Sequence, residues 1–341
     1  LATSDNEYYL RKRIGARGGY QILDESTLLK EDEIFQLSEG EKRDGVNPKK
    51  FGGRYFLPYD KGGESDTSEG WLPNYYVPTQ YFIDWSMSAV NRLRTATIAD
   101  VKRRKGKVSE IKNKDFTSKA AVIRNPQKYF QQGLTFSRTG DYAPTFRLNS
   151  STVFDSKGST IFIKEINTQV MLGILTSRLS RYLLKSYVSH TVETGEEAIK
   201  KLAIPNLDTA SIKKIIKLTG KIIDKQKRNP QYQYYLHEQK ELDCLIYNLY
   251  GLSDEDIREI ELWYCRRYPR LAEAQGEIDA VKEKYHDYLS QCDRLADSRM
   301  TKNTLTIEDL IFQDPIAAKV HVTSDALDNS DYSEIKPEDL N

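Results

Sequence analysis

The sequence predicts an α+β fold, in which a mixed β-rich domain is followed by a mainly helical C-terminal segment. In residues 133–162 the apolar side chains recur at the short intervals of strands, with little helical periodicity. From Thr209 onwards they recur every three or four positions, as in amphipathic helices. We therefore expect a β-rich domain over residues 1–208, a helical domain over 209–322, and an acidic tail over 323–341 that is too poor in apolar residues to fold.

Loops, short strands and one helix are predicted before residues 133–162, hereafter the strand-rich segment. A partly helical acidic stretch covers residues 28–42. Proline and glycine interrupt residues 51–65 and 70–86, so we expect extended loops and short strands there, packed by their aromatic rings. A helix over residues 88–106 then ends in a basic cluster, which consists of Lys102, Arg103, Arg104, Lys105 and Lys107.

Five further helices follow from apolar spacing and capping residues. The spacing predicts an amphipathic helix over residues 169–188 and another that begins at Thr209. A third covers residues 234–250. Ser253 and Asp256 have the spacing of a helix N-cap, and residues 270–298 form a long charged helix.

Charge is distributed unevenly, although the whole chain has 51 Lys and Arg against 50 Asp and Glu. Residues 101–150 contain 12 basic and 3 acidic residues, whereas residues 251–341 contain 11 basic and 21 acidic ones. The middle of the chain is therefore the candidate surface for a polyanion. About five phosphates neutralised by the basic cluster would give a log K against log salt slope of about −4 to −5.

Other function classes are disfavoured by composition. No apolar run approaches the roughly 20 residues of a membrane helix. The three cysteines lie far apart, which indicates reduced thiols in a cytoplasmic protein and no zinc site. Because the sequence begins at Leu1 rather than at methionine, we expect a fragment of a longer protein.

The strand-rich segment offers hydroxyl, amide and guanidinium groups, which suit phosphate oxygens and base edges. The candidates are Ser137, Arg138, Thr139, Arg147 and Asn149. We expect Arg138 or Arg147 to read a guanine. The alternative is that both arginines pair with local carboxylates such as Asp141 and Asp155 and only hold the loops in shape.

A second candidate contact is Lys61 with Gly62 and Gly63. Adjacent glycines let a backbone approach a phosphate closely, and the lysine adds a charge. The alternative is a tight turn that closes an aromatic-lined loop.

Catalytic motifs are missing from the sequence, so we expect no catalytic or metal-binding residue. The Asn-Pro pairs at Asn47, Asn125 and Asn229 are followed by Lys, Gln and Gln, so there is no Asn/Asp-Pro-Pro-Tyr/Phe loop for amino methylation. The four histidines have no triad or metal-ligand spacing. Two alternatives stay open: a scaffold that docks through the helices after Thr209, and a magnesium-dependent nuclease that uses Asp141, Asp155 and Lys157.

Several segments resemble, in the same order, the motifs of one protein family. Thr3-Ser4-Asp5-Asn6 resembles the family's Thr-Gly-Asp-Asn segment, with serine in place of glycine, and residues 58–64 resemble its Pro-Tyr-Asn/Asp-Lys-Gly-Gly motif. Residues 136–147 resemble its target-recognition core. The later matches are to its leucine-glycine helix at 172–177, its Ile-Pro exit at 199–205 and its closing helical motif at 249–252.

These motifs resemble those of the C-terminal half of large adenine-specific DNA methyltransferases of restriction-modification and phage-defence systems. The resemblance covers roughly residues 1–264 and implies a DNA-reading role. In this family the N-terminal domain binds S-adenosylmethionine and contains the Asn-Pro-Pro-Tyr loop, and the part resembled here is similar to the TaqI specificity domain. The resemblance thus implies a target-recognition domain at 1–208 whose partners are double-stranded DNA and the parent protein's methyltransferase domain. No cofactor is expected in this chain, because S-adenosylmethionine would bind the absent domain.

Overall fold

A computed structural model describes residues 1–61, 70–140, 142–149, 153–155, 158–189 and 191–297. It confirms the α+β class, with two small sheets in the N-terminal part and helices in the C-terminal part. The chain divides into two compact units. Unit 1 comprises Leu1–Asp66 and Leu72–Tyr234, and unit 2 comprises Thr67–Trp71 and Tyr235–Asn341.

Both described sheets belong to unit 1. Their strands are β1 (Leu10–Lys12), β2 (Phe56–Asp60), β3 (Tyr81–Asp84), β4 (Gly133–Ser137), β5 (Phe146–Asn149), β6 (Val153–Phe154) and β7 (Gly158–Ile161). The first sheet has the order β1-β3-β2-β6, in which only the β2–β6 pair is parallel. The second sheet is antiparallel and has the order β5-β4-β7.

The first sheet buries both of its faces, as the alternation of side chains along a strand requires. Leu57 and Ile83 lie in the main core of the sheet. Their neighbours Phe56 and Phe82 point to the opposite face and form a smaller cluster there. The guanidinium group of Arg11 lies 5.4 Å from the centre of the Phe56 ring, so an arginine covers this second face.

The described α-helices are mostly short. They are α1 (Asn6–Tyr9), α2 (Glu31–Phe35), α3 (Glu39–Asp44), α4 (Met87–Thr95), α5 (Ile98–Arg104), α6 (Thr168–Thr176), α7 (Arg178–Leu183), α8 (Glu196–Ile199), α9 (Thr209–Arg228), α10 (Glu238–Leu249), α11 (Asp254–Arg267), α12 (Pro269–Ala274), α13 (Glu277–Lys284) and α14 (His286–Asp297). A π-helical turn over Leu184–Val188 follows α7 directly.

Three helices predicted as continuous are interrupted, so those predictions were wrong in length. Thr97 ends the first one, because its hydroxyl and the Asp100 carboxylate cap α5 reciprocally. The hydroxyl of Ser177 accepts from the Ser180 amide (3.2 Å), and this N-cap of α7 separates it from α6. The third is divided at Gly276, whose φ of +68° lies outside the helical region. The predicted starts of α9 and α11 are confirmed, the latter with its Ser253–Asp256 capping box.

Helix α9 belongs to unit 1, whereas the sequence placed it in the helical domain. It packs against α6 and buries Ile215 and Ile222. The side chain of Gln226 is also buried: it donates to the Asn74 carbonyl (3.1 Å) and accepts from the Tyr76 amide (3.0 Å). Apolar periodicity identified this helix but gave no information on which domain it packs against.

Candidate nucleic-acid interface

A cleft of about 480 Å³ in unit 1 brings distant parts of the sequence together. Its walls include polar side chains of the N-terminal segment, Tyr20 and Lys105. Lys61 adjoins the cleft, since its ammonium group lies 4.3 Å from the centre of the Tyr20 ring and 5.2 Å from that of Tyr81. The full wall consists of Ala2, Thr3, Ser4, Asn6, Glu7, Tyr20, Tyr59, Lys105 and Asp155.

Tyr20 holds Lys61 beside the cleft. Burial raises the pKa of its hydroxyl, but hydrogen bonds from Lys61 and from the Asn6 amide outweigh that effect, so the pKa lies below its ordinary value. Lysine, amide and hydroxyl donors on the cleft wall can meet phosphate oxygens, and Glu7 can accept hydrogen bonds from exocyclic amines of bases.

Most of the basic cluster is already held by carboxylates of the protein. Lys102 lies 2.8 Å from Asp115 and also donates to a backbone carbonyl (3.0 Å). Arg103 pairs with Asp100 at 3.1 Å on the same helix. These two cations are therefore less available to a phosphate than the sequence suggested.

The next two residues of the cluster share one buried carboxylate. Asp5 is 2% exposed, forms an ion pair with Arg104, and lies 3.5 Å from the ammonium group of Lys105. The guanidinium group of Arg104 also lies over the ring of Tyr8 (4.6 Å), and its burial lowers its pKa. Lys105 still reaches the cleft wall. The fifth residue, Lys107, is exposed and forms no ion pair within the described ranges.

Arg138 follows β4 and is held by two glutamates. Its guanidinium group lies 2.8 Å from Glu193 and 3.9 Å from Glu196, and about a third of the side chain is exposed. Thr139 is exposed, and its backbone forms a bridge with that of Glu193. Ser137 is buried beside the hydroxyl of Thr145 (3.4 Å). The sequence analysis had predicted Asp141 and Asp155 as the carboxylates that could pair with this arginine.

Arg147 lies inside the protein on β5. Its guanidinium group pairs with Asp60 at 2.9 Å, and both side chains are largely buried. The pair joins β5 to the last residue of β2, which Lys61 follows directly. Arg147 thus helps to position Lys61. Asn149, another predicted DNA contact, is buried on the same strand.

Some candidate residues fall outside the described ranges, and they include two of the nuclease candidates. They are Gly62, Gly63, Asp141 and Lys157. Asp155 is described and lies in the cleft wall. Within the described part of the chain, no three His, Cys, Asp or Glu side chains are arranged to hold a metal ion. None of the described helices is long and apolar enough to cross a membrane.

Sequence reasoning missed three residues that shape this interface. The sequence does not predict the ion pairs of Asp5 and Glu193, because their partners Arg104, Lys105 and Arg138 lie far away in the sequence. Asp5 appeared there only as part of a resembled motif. Tyr20 follows a run of arginines and glycines, and that combination could have identified it as a stacking platform for a cation.

The sequence matches no protein-family model and no curated protein at significant similarity.

Proposed function

We propose that this chain is the sequence-specific double-stranded DNA recognition module of an N6-adenine DNA methyltransferase from a restriction-modification or phage-defence system. One observation supports it above the others: two motifs of the resemblance meet at one cleft. Thr3, Ser4 and Asn6 of the first motif line the cleft, and the second motif contributes Tyr59 and places Lys61 beside it. Motifs with only structural roles would not need to share an open, polar cleft.

The two lysines at the cleft would bind the backbone of a duplex that crosses it, although Glu7 and Asp155 share its wall. Lys61 and Lys105 approach from different segments, so together they can follow successive phosphates of one strand. Amide and hydroxyl groups between them would fix the register of the duplex, and base edges would be read by side chains of the second sheet. Arg138 is the candidate reader there, since it is partly exposed, whereas Arg147 is buried.

The proposal includes a parent protein. S-adenosylmethionine and the Asn-Pro-Pro-Tyr loop would belong to a methyltransferase domain that precedes this chain and acts as its partner in cis. This chain would supply sequence recognition but no methyl transfer, and the parent would act in the cytoplasm, where bacterial DNA lies.

Gel-shift binding of the full chain to random-sequence duplex DNA, with and without Mg²⁺, tests the proposal. We expect a shifted band in both conditions and no cleavage on the same gel. Combined Lys61→Ala and Lys105→Ala should weaken binding equally for all sequences, because phosphate contacts do not read bases. Lys200→Ala removes a cation from another part of unit 1 and is the matched control.

Two results would contradict the proposal: no binding by the wild type at low salt, or equal binding by the double variant and the wild type. Cleavage that requires Mg²⁺ would instead favour the nuclease.

A further inference from the structure

Residues 13–19, hereafter the arginine loop, follow strand β1 at the edge of the first sheet. From residue 8 to residue 23 the chain has four basic side chains and no acidic one: Arg11, Lys12, Arg13 and Arg17. The Arg13 guanidinium lies 5.4 Å from the Phe82 ring centre and 3.9 Å from a mostly exposed Glu25 carboxylate. An exposed surface of this charge attracts a polyanion.

The arginine loop is braced from within, so its shape is set before a ligand binds. The ammonium group of Lys12 donates to the carbonyls of Ala16 (2.8 Å) and Gly18 (2.7 Å). The Ala16 amide donates to the Arg13 carbonyl (3.1 Å) and closes a turn. Gly15, with φ +86°, supplies the positive φ that the third position of such a turn can require.

Ile14 lies at the tip of this turn and is 83% exposed, more than any other large apolar side chain in the described ranges. A single exposed apolar residue is ordinary on a protein surface. Here, however, it is held on a braced turn between arginines. DNA-binding proteins use this combination in the minor groove, where arginines lie in the groove and an apolar side chain opens a base step.

The arginine loop is continuous with the cleft through two tyrosines. The hydroxyl of Tyr81 donates to the Arg17 carbonyl (3.2 Å), and a Cβ on Gly18 would lie 3.0 Å from the ring of Tyr20. Lys61 lies over both rings. A duplex held at Lys61 therefore passes beside the arginine loop.

We infer that the arginine loop is a second DNA contact, in which Ile14 enters the minor groove and partly unstacks a base step while Arg13 and Arg17 meet the flanking phosphates. The inference rests on the proposed DNA-recognition function and adds a deformation step to it. Base steps differ in how easily they unstack, so the wedge would add specificity without a hydrogen bond to a base.

The test uses full-length chain and a duplex selected by the wild type from a random library, with 2-aminopurine placed in turn at each step. We expect the wild type to raise the fluorescence at one step. Ile14→Ser should bind about tenfold more weakly, as loss of a partly buried apolar contact implies, and should lose that rise. The slope of log K against log salt should not change, because no charge is removed.

Ile14→Met is the rescue variant, and we expect it to keep both affinity and fluorescence. Phe35→Ser is the matched control, because Phe35 is 59% exposed on the acidic helix α2. Equal binding and fluorescence of Ile14→Ser and the wild type would overturn the wedge and leave DNA recognition standing. A wild type that binds no duplex would overturn both.

Discussion

An arginine buried inside the protein requires a carboxylate beside it, and Asp60 provides that carboxylate for Arg147 on strand β5. From the sequence, Arg147 could either contact a guanine or pair with a carboxylate and hold a loop in shape. Burial of the pair favours the structural role, whereas Arg138, about a third exposed, stays available for both. The partner could not be predicted, because Asp60 is far away in the sequence and the named competitors were Asp141 and Asp155.

The Arg147–Asp60 pair gives a stability prediction. Arg147→Met should lower the free energy of unfolding by about 3 kcal/mol, since it leaves a buried carboxylate without its arginine. Adding Asp60→Leu should restore much of that loss, because an apolar pair of similar volume avoids the burial of a charge. Urea denaturation measures both.

Arg138→Met is the comparison for this pair, and for a partly exposed ion pair we expect a loss of at most about 1 kcal/mol. Equal losses for Arg138→Met and Arg147→Met would show that the Asp60 pair has no special role.

Ser4 has φ +56°, in the left-handed region where glycine is favoured, and the resembled family has glycine there. Ser4→Gly should therefore raise the free energy of unfolding by about 1 kcal/mol. Ser4→Ala keeps the Cβ and with it the strain, so it should give no gain in the same urea titration. A stability gain from alanine as large as that from glycine would mean that backbone strain is not the cause.

At the scale of elements, helix α8 and the residues before it limit how Arg138, which follows β4, could make its proposed contact with DNA. Glu193 and Glu196 both lie near the guanidinium group of Arg138, so a phosphate or a guanine must displace them to bind it. Under the proposed function, Glu193 would thus compete with DNA for Arg138. A competitor of this kind suppresses binding to non-specific sequences more than binding to a site that offers two hydrogen bonds.

Glu193→Gln should raise affinity for random-sequence duplex about threefold to fivefold, since an exposed ion pair stabilises by up to about 1 kcal/mol. Glu197→Gln is the matched control, because it removes the same charge nearby from a residue that pairs with Lys200 instead. Fluorescence anisotropy on labelled duplex gives both affinities. If the two variants gain equally, the effect is overall charge and not release of Arg138.

Element boundaries were predictable where a local capping motif marks them, as Ser253 with Asp256 does for α11. They were missed where capping motifs interrupt a stretch with continuous helical spacing, as at Thr97 and Ser177. Apolar periodicity describes one face of a helix and is insensitive to a break that keeps the spacing. An N-cap inside a periodic stretch therefore marks a helix break that the apolar spacing does not show.

For the whole molecule, the sequence predicted the fold class and showed the excess of Lys and Arg in residues 101–150. It did not predict which of these cations are paired with carboxylates in the folded protein. Pairing depends on carboxylates brought close by folding, as Asp115 is to Lys102. Charge excess in a window of sequence therefore overstates the cations available to DNA, and a surface formed by distant segments is not visible in such a window.

The salt dependence of the proposed DNA binding measures which cations take part. The sequence assigned five phosphate contacts to the basic cluster, whereas the two proposals above assign them to Arg13, Arg17, Lys61, Lys105 and Lys107. Five contacts again give a slope of log K against log salt of about −4 to −5. The wild-type slope therefore does not distinguish the two sets, but single variants do.

Lys61→Gln should reduce the magnitude of the slope by about 0.9. Lys102→Gln should leave the slope unchanged, because the ammonium group of Lys102 is held by Asp115. Anisotropy titrations at several salt concentrations, on variants that thermal melting shows to be folded, give these slopes. The opposite pattern, with a change for Lys102 and none for Lys61, would place DNA on the basic cluster instead of at the cleft.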